Sequence, residues 1–338
     1  MLDNDKLTPP ISKSLQRLLW IDYMKAIGMY LIVLGHFFSI GHKFIYVFSV
    51  PLFFIISGFL SKRVSNQKEF WKKLWYNLAL PMIIITLLAY SVRTLGDIVL
   101  GRYNIGELIK LPINLVLGMW NIFKECWFIY TLILIKIVFQ YTRGYIIDLV
   151  LTLLFLLISW IIYIEEFVIL GYNIQHNPSS LINLFCCYPF FMIGFYMSKF
   201  KIYLNSYKVT PKTIIYFLSS LVCVYICYLY NGDVKMYTAD FGDNIFLYLL
   251  GGVSGTAMIF FICKYLERYN LGWLRTISVG SILILGFHIF LVQILRKIFN
   301  EPSFLDYVWS LLILFIFIPI ITFTQKYLPL LIGKYRTK

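Results

Sequence analysis

Charge is what this chain has least of. Only 14% of its 338 residues are charged, and the acidic side chains number 16, too few to cover a water-facing surface on a chain of this length. That excludes a soluble globular protein. The six cysteines (Cys126, Cys186, Cys187, Cys223, Cys227 and Cys263) fall within or at the ends of apolar runs and lack zinc-ligand spacing. They read as small apolar packing residues, and no metal site is expected. No internal repeat, low-complexity tract or stretch polar enough for a soluble domain occurs. The first apolar run begins after about 19 polar residues with no small-x-small site behind it, so a cleaved signal peptide is not expected.

What is abundant is apolar and aromatic: 60% of residues are hydrophobic and 19% are Trp, Tyr or Phe. Ten stretches approach the length that crosses a bilayer, at 20–40, 44–60, 76–96, 126–141, 146–164, 181–198, 212–230, 244–266, 278–298 and 306–325. "LPINLVLGMW" (111–120) is too short to span and is expected to lie in the interface or re-enter. Irregular backbone is excluded from lipid, so the spans must be helices. The expected fold is therefore an all-α integral membrane protein, a bundle of about ten transmembrane helices. One membrane domain, 20–333, is flanked by a segment at 1–19 and a tail at 334–338.

Lysine and arginine set the orientation. With the N-terminus in the cytoplasm, twenty basic residues fall on the inner side, eight on the outer side, and Lys25 and Lys136 within spans. Both termini are thus expected in the cytoplasm of a multi-pass protein of a cell membrane, bacterial in type. The net charge of +14 is then a topology signal with some attraction to anionic lipid. It implies no nucleic acid.

The first span, "WIDYMKAIGMYLIVLGHFF" (20–38), carries Asp22, Lys25 and His36. Eleven residues separate Lys25 from His36, three helical turns plus about 20°, so both lie on one face, about 16 Å apart along the axis. Asp22 is close enough to Lys25 to lower the cost of burying it. A cation and a neutral-pH titrating group on one intramembrane stripe mark a functional path. The plainer alternative is a snorkelling lysine and a histidine satisfied by neighbouring backbone.

Further along come "VPLFFIISGFL" (50–60), a basic run before Pro81, "CWFIYTLIL" (126–134) and "SVGSILILGFHIF" (278–290). With the Lys-x10-His spacing of the first span, this order resembles the membrane-bound acyltransferase family three, in particular its fucose O-acetylase-like branch. Two positions depart from that branch. Ser49 stands where a histidine is frequent, and Asn77 where an arginine is frequent.

The resemblance implies transfer of an acyl group, usually acetyl, from cytoplasmic acyl-coenzyme A as co-substrate to a hydroxyl of a glycan or lipid-linked saccharide, with no bound cofactor. The phosphates of such a donor need a cationic mouth, for which Lys25, Arg63, Lys72 and Lys73 are the expected residues. A sugar hydroxyl needs a base with a pKa near neutrality, the role expected of His36. His288, at a similar depth on another span, is either a second catalytic imidazole or a core histidine bonded to a neighbouring helix. Glu125 either closes on the same path or is an exposed interfacial carboxylate. Trp127 is either an interface anchor or a sugar-stacking surface, and Ser49 completes the expected acceptor site. Ser57 and Gly58 have a packing explanation, Lys136 is expected to snorkel inward, and His42 and His176 carry no motif. A flippase or secondary transporter of lipid-linked glycans would also explain buried charge, but typically shows pseudo-symmetric repeats and broken spans, which this sequence lacks.

The orientation can be tested by thiol labelling. A cysteine introduced at Ser65, in the 61–73 loop, should resist a membrane-impermeant reagent in intact cells; rapid labelling there would reverse the topology.

Overall fold

A computed structural model of the protein describes residues 18–102, 105–164, 168–169, 172–173 and 179–334. His176 and the segments 1–17 and 335–338 lie outside them. The first helix, α1 (Leu19–His36), runs from what we term the proximal face to the distal face. A short α2 (His42–Tyr46) and α3 (Ser49–Phe59) return the chain. Next come α4 (Gln67–Leu74), a π-helical turn (Trp75–Ala79) and α5 (Leu80–Val99). Asn66 caps α4 by accepting from the amides of Lys68 (3.0 Å) and Glu69 (3.4 Å). The π turn immediately precedes Pro81, which has no N–H to offer the carbonyl of Asn77 four residues earlier.

The short apolar stretch does not span. After α6 (Ile105–Ile109) it forms α7 (Leu111–Val116) and enters α8 (Trp120–Phe123), pinned where the Ser180 amide donates to the Gly118 carbonyl at 2.9 Å. A 3₁₀ turn (Lys124–Cys126) leads into α9 (Trp127–Tyr141) and α10 (Tyr145–Ile164). A small antiparallel pairing, Val168 with Asn173 and Ile169 with Tyr172, precedes α11 (Asn183–Met197) and α12 (Lys201–Ser206). The chain continues through α13 (Pro211–Tyr230), α14 (Ile245–Leu266), α15 (Gly272–Val279), α16 (Ser281–Ile298) and α17 (Leu305–Tyr327).

Among the described residues, seven helices are long and apolar enough to cross a membrane: His42–Phe59, Gln67–Val99, Tyr145–Tyr163, Pro211–Tyr230, Ile245–Tyr269, Ser281–Ile298 and Leu305–Tyr327. Of the ten expected spans, those absent from this set coincide with α1, α9 and α11. α9 and α11 are short, at 15 residues each, and α1, at 18, is diluted by Asp22, Lys25 and His36. They are interior helices. α1 packs against α3, α14, α15, α16 and α17, and α11 packs along α3. By contrast α10 and α13 expose rows of Leu, Ile and Val, the surface that lipid can cover.

Polar ties fix the two ends of α1. At the proximal face the Trp20 amide donates to Glu267 (3.2 Å), Ser278 Oγ donates to Asp22 (2.7 Å) and the Leu271 amide donates to the Tyr23 hydroxyl (2.5 Å). At the distal face the Arg296 guanidinium donates to the Phe37 carbonyl and to buried Asp306 (2.8 Å), joining α1, α16 and α17.

At the α3–α11 crossing the two backbones come into direct contact. A Cβ on Gly58 would overlap the Phe191 carbonyl, and one on Gly194 would overlap the Ile55 carbonyl, so each helix needs a glycine where the other presents its backbone. Gly58→Ala or Gly194→Ala should therefore destabilise the protein by about 1–3 kcal/mol, the usual range for overpacking. Melting in detergent measures this, and wild-type melting of both variants would contradict the crossing.

Candidate functional site

Two cavities approach each other from opposite faces. The proximal one, about 560 Å³, is lined by Asp22, Lys25 and Ile32 of α1, Asn77, Leu285 of α16, and Lys201 and Lys334. The distal one, about 390 Å³, is lined by His36, Arg93, Lys124, Glu125, Trp127 and the outer turn around Tyr237. They share no lining residue. Ile32 and His36 are one turn apart on α1, about 6 Å along the axis.

Between them sits a pair of imidazoles. His36 and His288 meet edge to face, with ring centroids 4.8 Å apart. His288 is fully buried, and its Nδ1 lies 2.7 Å from the Ile284 carbonyl and 3.1 Å from that of Leu285. Carbonyls only accept, so Nδ1 carries the proton and Nε2 a lone pair. That lone pair faces His36 Nδ1 at 3.4 Å, and His36 Nδ1 also lies 2.8 Å from the Ile32 carbonyl. Both partners require a proton on Nδ1. A neutral His36 then presents its Nε2 lone pair away from His288, on the side of Glu125, whose Oε1 is 4.0 Å distant. This separation is too long for a hydrogen bond.

The wall that carries Glu125 is built by an unusual backbone. Lys124, a non-glycine residue, is held at φ 45° at the junction of α8 and the 3₁₀ turn, with its ammonium 3.6 Å above the Trp120 ring. Burial and the neighbouring Arg93 guanidinium hold the Lys124 ammonium below the usual lysine range.

Several expected site residues fall elsewhere. Arg63 does not line the proximal cavity. Its Nη2 donates to Asp148 at 2.6 Å and its Nε to the Phe139 carbonyl at 3.0 Å, while Tyr196 donates to the other Asp148 oxygen at 2.6 Å. Asp148 is only 1% exposed, so the guanidinium serves a buried ion pair. Lys73 pairs with Glu69 at 2.5 Å on the exposed side of α4, and neither Lys72 nor Lys73 lines the cavity. Ser49 is buried at the start of α3 and lines neither cavity. His288 lines neither cavity as well; it contacts His36 from behind. Trp127 is buried and forms part of the distal wall, so it is not an exposed anchor. Glu125, with a side chain 11% exposed, closes on His36. Lys136 donates to Ser61 Oγ at 2.7 Å, on the proximal side of α9.

The sequence reading missed Lys201 and Lys334. Asn77 does line the proximal cavity, at the position where an arginine is frequent in the resembled branch. Gly333 packs against the Asn77 carbonyl, and any side chain there would collide with it. The end of the described chain thereby brings Lys334 to the wall where Asn77 stands.

The chain belongs to the acyltransferase domain family, acyltransferase family three, whose model matches residues 18–324. It is a membrane acyltransferase, and the transporter reading has no support. No curated protein and no solved structure matches the chain.

The reassignment of Arg63 is open to measurement. Arg63→Gln leaves Asp148 buried without its ion-pair partner and should cost about 3–5 kcal/mol, read as lowered detergent melting. Lys73→Ala, on an exposed pair, should leave melting unchanged. An Arg63 variant with intact melting and weakened donor binding would return this residue to the donor mouth.

Proposed function

We propose that the protein transfers an acyl group, acetyl in the first instance, from cytoplasmic acyl-coenzyme A to a hydroxyl of a cell-surface glycan or its lipid-linked precursor, as in the fucose O-acetylase-like branch of its family. The observation that carries this reading is the unshared Nε2 of His36, directed at Glu125 in one cavity and separated by a single helical turn from the end of another. In this reading the proximal face is cytoplasmic.

The donor phosphates lie at Lys25, Lys201 and Lys334, which line the mouth and flank of the proximal cavity. The pantetheine arm separates the phosphates of coenzyme A from its thioester, much as Lys25 is separated from His36 by about 16 Å along α1. The thioester carbonyl then arrives beside Ile32 and Leu285, below the imidazoles. The acceptor hydroxyl enters from the distal side against His36 Nε2.

The transfer follows from these positions. The hydroxyl oxygen attacks the thioester carbon as Nε2 takes its proton, and Glu125 stabilises the imidazolium. The tetrahedral intermediate collapses with cleavage of the C–S bond. The coenzyme A thiolate leaves and recovers the proton. His288 holds the ring orientation throughout, since its Nε2 and the Ile32 carbonyl both face Nδ1. A positioned base contributes about 10²- to 10⁴-fold to such a reaction.

His36→Ala should reduce glycan acylation per folded molecule by about that factor while leaving donor binding intact. Lys25→Ala should weaken donor use, and Lys25→Arg should retain part of it because charge and reach survive. Mass spectrometry of surface glycans, normalised to folded protein, separates the outcomes. Near-wild-type specific activity in His36→Ala would sink the mechanism.

A further inference from the structure

The distal cavity does not end at His36. A second hollow of about 530 Å³ opens beside it between α5, α8 and α16, lined by Arg93, Asp97, Arg102 and Asn121. The two share Arg93, Lys124, Phe290 and Gln293, so the acceptor cavity continues into this hollow.

The cations on this path lack close ion-pair partners, although Glu125 and Asp97 act on Arg93 and Lys124 at longer range. Among the described residues, Arg93, Arg102 and Lys124 make no ion pair. Arg93 is committed through one nitrogen only, donating from Nη2 to the Ile122 carbonyl at 2.8 Å. Lys124 rests on the Trp120 ring, partly desolvated, with Arg93 as a like charge and Glu125 and Asp97 as opposite charges around it. The acids on the path are Asp97 in the hollow and Glu125, which faces His36. The chain places three unpaired cations around a partly enclosed space and holds one of them on a strained backbone. Like charges brought together in this way are stabilised by an anion between them, and two arginines present the planar forks that fit an oxyanion.

We propose that the acceptor is anionic, and that an oxyanion group of it, phosphate or carboxylate, occupies the hollow at Arg93, Arg102 and Lys124 while its hydroxyl lies at His36. This rests on the acyl-transfer reading above and assigns its substrate class. Asp97 borders the same hollow and accepts no side-chain partner within ion-pair distance among the described residues. It therefore disfavours an anion placed at the rim, and the preferred position is the Arg93–Lys124 end.

The test uses cells expressing the full chain, fed radiolabelled acetate, with glycans and glycolipids separated by anion exchange. Gene-dependent label should elute with the anionic fraction. Arg93→Gln with Lys124→Gln should lower that label at least about tenfold, the effect of losing charged hydrogen bonds, while donor binding by the purified protein stays intact. Arg102→Glu, at an exposed position, should act in the same direction if the first variant folds poorly. Hydrofluoric acid dephosphorylation and carbodiimide reduction distinguish the sources: the first makes the labelled product neutral if the anion is phosphate, the second if it is a uronate. Label confined to neutral glycans overturns this proposal and leaves acyl transfer standing. Gene-dependent label in no glycan at all overturns both.

Discussion

The structure depends on the need to keep the polar stripe of α1 out of lipid. Asp22, Lys25 and His36 cannot face hydrocarbon without a cost of several kcal/mol each, so the helix that carries them must be enclosed. α3, α14, α15, α16 and α17 surround it, and the longer α10 and α13, with their rows of exposed Leu, Ile and Val, take the lipid side. Enclosure in turn demands close packing. That is where the glycine-to-backbone crossing of α3 and α11 belongs, since it lets the surrounding layer draw in tightly around a helix of modest length.

The same helix supplies geometry as well as polarity. A helical histidine can reach the carbonyl four residues back, and His36 and His288 both do so, to Ile32 and Ile284. This local bond settles which ring nitrogen holds the proton on each imidazole before any long-range contact is made. The long-range contact between them is then compatible with both tautomers. Preorganisation of the two imidazoles thus comes mainly from two helical turns, with Glu125 added from a separate segment.

The residues that were legible in the sequence are those whose meaning is periodic. The Lys25–His36 spacing predicts a common face, and both line cavities reached along α1. Small residues at Gly58 predict close packing, which is found. What could not be read was pairing across long separations. Arg63, Lys72 and Lys73 look equivalent as a basic run, yet Asp148, 85 positions beyond Arg63, claims one of them and Glu69 another. The proximity of Lys334 to Asn77 depends on a chain end more than 250 residues away and on a proline that frees a carbonyl; no local pattern encodes it. Trp127 and Glu125 were ambiguous because a residue at a helix start can face either interface or interior, and only the fold of α7 and α8 over that end decides. Among the described residues, seven helices satisfy the length and composition of a span where ten were expected because a helix enclosed by protein need not be as long or as apolar as one bathed in lipid.

Two cavities that approach the His36–His288 pair and share no lining residue have an electrical consequence. A continuous water path through this protein would let ions discharge the membrane potential, which is worth about 2.3 kcal/mol per charge for every 100 mV. Ile32, Leu285 and the edge-to-face rings close that path with apolar surface and with nitrogens already engaged by helix carbonyls. The apolar surface left between the two cavities is therefore what allows a helical body hollowed from both ends to remain insulating.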